Sequence, residues 1–312
     1  MKITIATILV LTLIAVPNYH LTLEAKAPLE DFAYAEKVLD EIVASGIQTQ
    51  IYEIEALAND PSFNESKKKL LSLKKEELKS IKSYKDIALQ RSVNDTVSEL
   101  EKRGYEIDIR FAELCLEIEK YKLENSTNDV KEIAQYLNNK FEEDGTKHSL
   151  FSLSFQTAQA YTSISYTTWI SLTTSEKLLV ASNPSAAIAT QAIQKKAYDF
   201  TKTKFGFNGL GDKSDGYRHG IWNALMTRDI SRAWAEAFAT AHEDKPKSVL
   251  DAKDVDGYTG WQHKTMDLDN NKVGRSVIAW YEYSFNCSDS TVKTRISNKL
   301  TNTSGNITWL HN

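Results

Sequence analysis

The chain has 312 residues, enough for a sizeable core and for one to three domains, with 41% hydrophobic, 26% charged and 10% aromatic residues. Its 5 Pro and 12 Gly exclude a collagen-like chain and argue against long disordered regions. A formal net charge of -4 gives no electrostatic reason to expect nucleic acid. The local Lys67-Lys68-Lys69 and Lys74-Lys75 runs lead directly into Glu76-Glu77, the pattern of a solvated helix face.

Lys2 precedes an apolar run from Ile3 to Val16, followed by Pro17 and by an A-x-A pattern at Ala25-Lys26-Ala27. A positive residue, a short apolar run and a small-residue end describe a secretory signal peptide over residues 1–27. The run falls short of the roughly 20 residues of a membrane span. The expectation is a secreted protein with no stable membrane span after signal removal, or a cell-surface protein if the segment is retained. Export gives meaning to the only two cysteines, Cys115 and Cys287, which are either one disulfide or two buried thiols. Six N-x-S/T sequons, at Asn64, Asn94, Asn125, Asn286, Asn302 and Asn306, would carry glycans in a eukaryotic secretory pathway and mean nothing in a bacterium.

The expected fold class is mainly α: a long-helix, coiled-coil-like bundle over residues 28–148, then a smaller helical domain over 173–285. Phe32, Ala35, Leu39 and Ile42 form one apolar stripe; Ile47, Ile51 and Ile54 form another with its phase shifted at Gly46. Leu71, Leu78, Ile81 and Ala88 mark a Lys-rich helix. From Val93 to Tyr121, apolar residues recur on alternating steps of four and three, with Gly104 in the one empty slot. That repeat predicts a long bundle helix or a coiled-coil seam, which would serve self-association or a partner helix. Ser126-x-x-Asp129 then caps a helix carrying Val130, Ile133, Leu137 and Phe141.

Residues 149–172 lose charge and periodicity and read as a connector. Thr173-x-x-Glu176 is a capping box, and Asn183-Pro184 starts a helix that reaches Lys204 and stops at Gly206. The next helix places Asp215, His219 and Asn223 on one face at steps of four, with Trp222 and Met226 beside them as core contacts. A further helix carries Trp234, Ala237, Phe238 and Ala241 and ends in His242-Glu243. Met266-Asp267-Leu268-Asp269-Asn270-Asn271 reads as a helix start, with Val273, Val277, Ile278 and Tyr281 as its stripe. Residues 286–312 read as a C-terminal tail. Two histidines with several carboxylates form a set that binds Zn²⁺ or Mn²⁺, or that activates water without a metal. No H-E-x-x-H, G-x-S-x-G or Walker pattern is present, and Gly206-x-x-Gly209-x-Gly211 follows a helix rather than a strand.

The spacing Asn208-x-x-x-Asp212-Lys213-Ser214-Asp215-x-x-Arg218-His219-x-x-Trp222-Asn223-Ala224-Leu225-Met226-x-Arg228-Asp229 resembles the signature of an uncharacterised domain family of exported and wall-associated bacterial proteins. The resemblance continues through Ala241-His242-Glu243 and Met266-Asp267-Leu268-x-Asn270-Asn271-x-x-Gly274-Arg275, and covers about residues 173–277. It implies no established activity. It directs attention to Asp215, Arg218, His219, Asn223, His242, Glu243, Asp267, Asn270 and Asn271. Two departures stand out: Gly216 where the family usually has Ala, and Asp269 where it usually has His. If that His is a ligand in relatives, Asp269 bears on whether the site is competent. The loop from Asp251 to Gly260 is an additional element near the site.

The expectation is a hydrolase with His219, Glu243, Asp215, Asn223 and Arg218 as catalytic residues and Glu243 or His219 as base. Its divalent cation, Zn²⁺ or Mn²⁺, would be held by His219, His242, Asp267, Asn270 and Asn271. The alternatives are a non-catalytic exported module whose polar cluster only stabilises the second domain, or a helical half that delivers a toxic C-terminal domain.

Overall fold

The computed structural model describes residues 29–87, 91–150 and 169–312. The expected signal peptide therefore lies outside the described residues, as do residues 151–168 of the expected connector. Among the described residues the structure is built from helices alone, joined by turns and two isolated β-bridges. None of these helices is long and apolar enough to cross a membrane.

Local chemistry sets most helix starts. Asn64 opens α2 (Glu65–Ser80), Ser92 opens α3 (Val93–Lys102) and Asp108 opens α4 (Ile109–Glu124), each accepting a backbone N–H of the first turn. Asp129 does the same for α5 (Val130–Leu150) through the N–H groups of Lys131 and Glu132, so Asp129 rather than Ser126 is the capping residue. The Thr173–Glu176 capping box opens α6 (Thr174–Ser182), and Asn183-Pro184 opens α7 (Pro184–Phe205). Gly206, at φ 85°, closes α7 in the left-handed conformation that favours glycine.

Two long-range readings are corrected. α1 (Leu29–Ala58) runs unbroken through Gly46. Its buried stripe takes Phe32, Ala35, Leu39, Val43, Ile47, Ile51 and Ile54, so Val43 rather than Ile42 carries the phase across. The Val93–Tyr121 repeat is two helices, not one. The chain leaves α3 at Arg103, Gly104 takes a φ of 73°, and α4 begins six residues later. Arg103 and Tyr105 hold the break open by binding the buried Asp229 carboxylate. Val93, Leu100, Phe111, Leu114 and Ile118 are all buried in the chain's own core, so the repeat faces inward rather than offering a free seam.

The core is continuous from Phe32 to Ile307 across the position of the expected domain boundary. α1 packs on α6 and on α9 (Arg232–His242), while α3 and α4 pack on α7. The residues after Asn286 are not an appended tail. They form α12 (Asp289–Asn298), which buries Val292 and Ile296, and then a strap in which Ile307 is fully buried. Cys115 and Cys287 are both buried free thiols.

Candidate functional site

The site lies where α8 (Lys213–Asp229) crosses α11 (Gly260–Ser276), the most extensively packed helix pair. Their backbones approach so closely that a Cβ on Gly274 would collide with the carbonyl oxygen of Gly220. α11 begins at Thr259, with a Thr259–Gln262 capping box, rather than near Asp267. The expected helix start is therefore mid-helix. Its polar run escapes solvent because Asp267, Asn270 and Asn271 face α8. Asp269 sits on the opposite, exposed side, so the departure from the family pattern at that position does not touch the site.

Asp215, His219 and Asp267 converge, each more than nine-tenths buried. His219 Nε2 stands 3.5 Å from Asp215 Oδ1 and 3.2 Å from Asp267 Oδ1, and the three ligand atoms lie within 4.8 Å of one another. A tetrahedral ion with ligands at about 2.0–2.1 Å separates neighbouring ligand atoms by about 3.3 Å. Two of the three separations are close to that value. Asp267 Oδ1, although within ion-pair distance of the imidazole, makes no hydrogen bond.

The tautomer of His219 follows from its surroundings. A guanidinium has only donors, so the 3.0 Å contact from Arg275 to Asn223 fixes the Asn223 carbonyl toward Arg275. The Asn223 amide group then donates to Asn271 Oδ1 at 2.6 Å. That turns the Asn271 carbonyl toward His219 Nδ1, 3.2 Å away. Nδ1 is therefore the protonated nitrogen, and the Nε2 lone pair points between two carboxylates. Metal-binding histidines are oriented in this way by a carbonyl on the far nitrogen. Burial, reinforced by the charge of Arg218, depresses the His219 pKa to about 3, so the ring is neutral at ordinary pH. Burial and the nearby Glu243 and Asp215 push the Asp267 carboxyl well above the usual carboxylate range. Asp215 is held differently: Gly211 N–H donates to its Oδ2 at 2.7 Å, and Arg218 pairs with its Oδ1.

The remaining residues singled out from the sequence divide by position. Asn270 uses both ends of its amide on the Thr308 backbone, at 2.8 and 2.9 Å, and so pins the C-terminal strap rather than facing the cluster. Asn271 and Asn223 orient His219. Arg218 stacks on Tyr198 and is tied to the Gly209 carbonyl as well as to Asp215. Glu243 is fully buried, with one oxygen 3.1 Å from Lys245 and the other without a hydrogen-bond partner. His242 stands outside the ligand cluster; its Nδ1 is 2.8 Å from Glu176. Burial alone would lower the His242 pKa, but Glu176 outweighs it and raises the value. Glu176 is the residue that sequence reasoning used only as a cap. Its second oxygen does close that cap, and nothing in local spacing ties it to a histidine 66 positions away.

A small cleft of about 40 Å³, room for one or two waters, reaches the site between Gln194, Tyr198, Arg218, His219, Trp222 and His242. Glu243 does not line it, and neither does the loop from Asp251 to Gly260. That loop instead clasps the C-terminus, with Asp256 contacting His263 at 3.1 Å and His311 at 3.2 Å.

Residues 177–304 match a family model described as a domain of unknown function (DUF6973). No curated protein and no solved structure matches the chain. The match covers less than half of the chain and reaches beyond the expected limit near Val277 to include α12. It contains the three clustered ligand groups and their orienting amides, whereas Glu176 lies just outside it. Arg228 and Asp229, also part of the recognised spacing, are structural. Arg228 reaches the Cys287 carbonyl at 3.0 Å and Asp289 at 2.8 Å, and Asp229 takes the Arg103 guanidinium at 2.7 Å.

Proposed function

We propose that the protein is an exported hydrolase whose divalent cation, Zn²⁺ or Mn²⁺, is held by Asp215, His219 and Asp267. The observation that carries this reading is the relay from Arg275 through Asn223 and Asn271, which aims the His219 Nε2 lone pair at two buried carboxylates. Without a cation, the repulsion among these groups is relieved by a proton on Asp267, as its raised pKa reflects; a cation can take the place of that proton and accept all three lone pairs. One imidazole and two carboxylates suit Zn²⁺ or Mn²⁺, and three protein ligands leave a coordination position open. When bound, such a cation polarises a substrate oxygen or acidifies a water. Around it, Arg218 steadies Asp215, Asn271 keeps His219 in the ligating tautomer, and His242 moves a proton at Nε2 while Glu176 holds its Nδ1. Glu243, away from the cleft, acts on Asp267 through charge rather than as a base.

The N-terminal Lys2, apolar run and A-x-A pattern support export. The test is metal content and calorimetric titration of the purified full chain with Zn²⁺ and Mn²⁺, with chromogenic ester and phosphodiester hydrolysis followed with and without chelator. One ion per chain, lost in His219→Ala together with chelator-sensitive hydrolysis, supports the reading. Hydrolysis indifferent to both chelator and Asp215→Ala would overturn it. A second reading, a polar cluster that only locks α8 against α11, is favoured by the near-complete burial of its members. It predicts no ion and a folded state that melts earlier in each single variant.

A further inference from the structure

The strap that follows α12 does more than cover the core. Its residues 307–311 lie beyond the family match and run against the loop before α8. Leu310 N–H donates to the Gly211 carbonyl at 2.7 Å, and His311 Nε2 stands 3.0 Å from the Leu210 carbonyl. The same Nε2 lies 3.2 Å from Asp256 Oδ2. Both neighbours are acceptors, so Nε2 is a protonated nitrogen and donates to them. Asp256 in turn meets His263 of α11 at 3.1 Å. The three side chains close on one residue. A Cβ at Gly211 would stand 2.5 Å from Asp256 Oδ2, 2.9 Å from the His263 ring and 3.2 Å from His311 Nε2.

The peptide held in this way is the one that orients Asp215. The Leu210 carbonyl and the Gly211 N–H belong to one planar unit, so fixing the carbonyl fixes the direction of the N–H. That N–H donates to Asp215 Oδ2 at 2.7 Å. Donation from His311 to the carbonyl polarises the unit and strengthens the bond at its other end. With Oδ2 engaged, the direction of Oδ1 is set, and Oδ1 faces His219 Nε2 at 3.5 Å. A path of three contacts thus runs from the strap to the ligand cluster. Tyr258 tethers the same strap without touching this peptide. Its hydroxyl donates to the Leu310 carbonyl at 2.9 Å, and its ring stacks on His311.

We propose, resting on the reading of Asp215, His219 and Asp267 as cation ligands, that His311 is a positioning residue for that site and tunes its affinity through the Leu210–Gly211 peptide. The test uses the full chain. Calorimetric titration with Zn²⁺ and Mn²⁺ gives the affinity, and nuclear magnetic resonance of the metal-free protein follows exchange of the Gly211 amide hydrogen. In His311→Ala the Kd for the ion rises about tenfold, the lower end of the range for lost support of a ligand, and the Gly211 amide exchanges faster. His311→Gln returns an N–H donor to the same place and restores both to near their wild-type values. Tyr258→Phe keeps the ring, releases the strap at Leu310 and leaves both unchanged. An unaltered His311→Ala, a His311→Gln as weak as His311→Ala, or a Tyr258→Phe that weakens the ion equally overturns the positioning role while the cation reading stands. A wild-type chain that binds neither ion, with its Gly211 amide still protected through His311, overturns the cation reading and with it any role of the strap in binding.

Discussion

Asp267→Asn separates a metal site from a structural cluster, because the two readings give opposite signs. In the metal-free protein the Asp267 carboxyl is 5% exposed, has an Oδ1 with no hydrogen-bond partner, and faces the charges of Glu243 and Asp215. A buried polar group left in that state costs about 1–3 kcal/mol. Asparagine keeps the shape, removes the charge and offers an N–H to the His219 Nε2 lone pair 3.2 Å away. The metal-free variant should therefore be more stable than the wild type by about 1–3 kcal/mol. At about 2–4 °C per kcal/mol for a large domain, Tm rises by about 2–12 °C. The pH dependence has a definite sign. The folded pKa of Asp267 is raised, so its proton favours the fold below the unfolded carboxyl range and that contribution is lost as the pH rises. The advantage of the variant should thus grow from about pH 4 upward and level off above the folded pKa. Added Zn²⁺ or Mn²⁺ reverses the order. At a hundredfold excess over Kd, ligand binding stabilises the wild type by about 2.7 kcal/mol, and the variant, lacking a ligand, gains little. Thermal melts with chelator and with metal read both effects. A metal-free Asp267→Asn that melts below wild type, or an equal metal response in the two proteins, refutes the reasoning.

Asn271→Ala removes the carbonyl that fixes His219 while leaving all three ligands, and should weaken metal binding about 10–100-fold by calorimetry. Asp269→Ala, on the exposed side of α11, should leave affinity unchanged. Gly216→Ala would normally help a helix by about 1 kcal/mol, but its Cβ would stand 2.5 Å from the Thr308 carbonyl oxygen. The strap must shift, so a net loss of about 1–2 kcal/mol in urea unfolding is expected. In Glu176→Gln the capping box survives and the charge on His242 loses its partner. The raised pKa of His242 means that the pair stabilises most below about pH 6.5 and fades as pH rises through the folded pKa. The stability gap between wild type and Glu176→Gln should accordingly be wider at pH 5.5 than at pH 8.5.

Helix identity was legible wherever the signal is local. The Thr173–Glu176 box, Asn183-Pro184 and the Gly206 stop act within one turn of the chain, and each appears where the residues place it. The stripe Asp215, His219, Asn223 was legible for the same reason, since 3.6-residue periodicity alone puts those groups on one face. The Val93–Tyr121 repeat misled because periodicity records which face is buried and not whether the chain stays helical between buried residues. Gly104 and the pull of Asp229 on Tyr105 and Arg103 decided that. Partners far apart in sequence were likewise invisible: Glu176 with His242, Asn270 with the Thr308 backbone, Arg275 with Asn223. The sequence by itself determined an all-helical chain and named the groups capable of chemistry. Only tertiary packing separated the groups able to hold a cation from the amides that orient them, because that distinction is one of direction, and direction depends on which donor stands opposite each side chain.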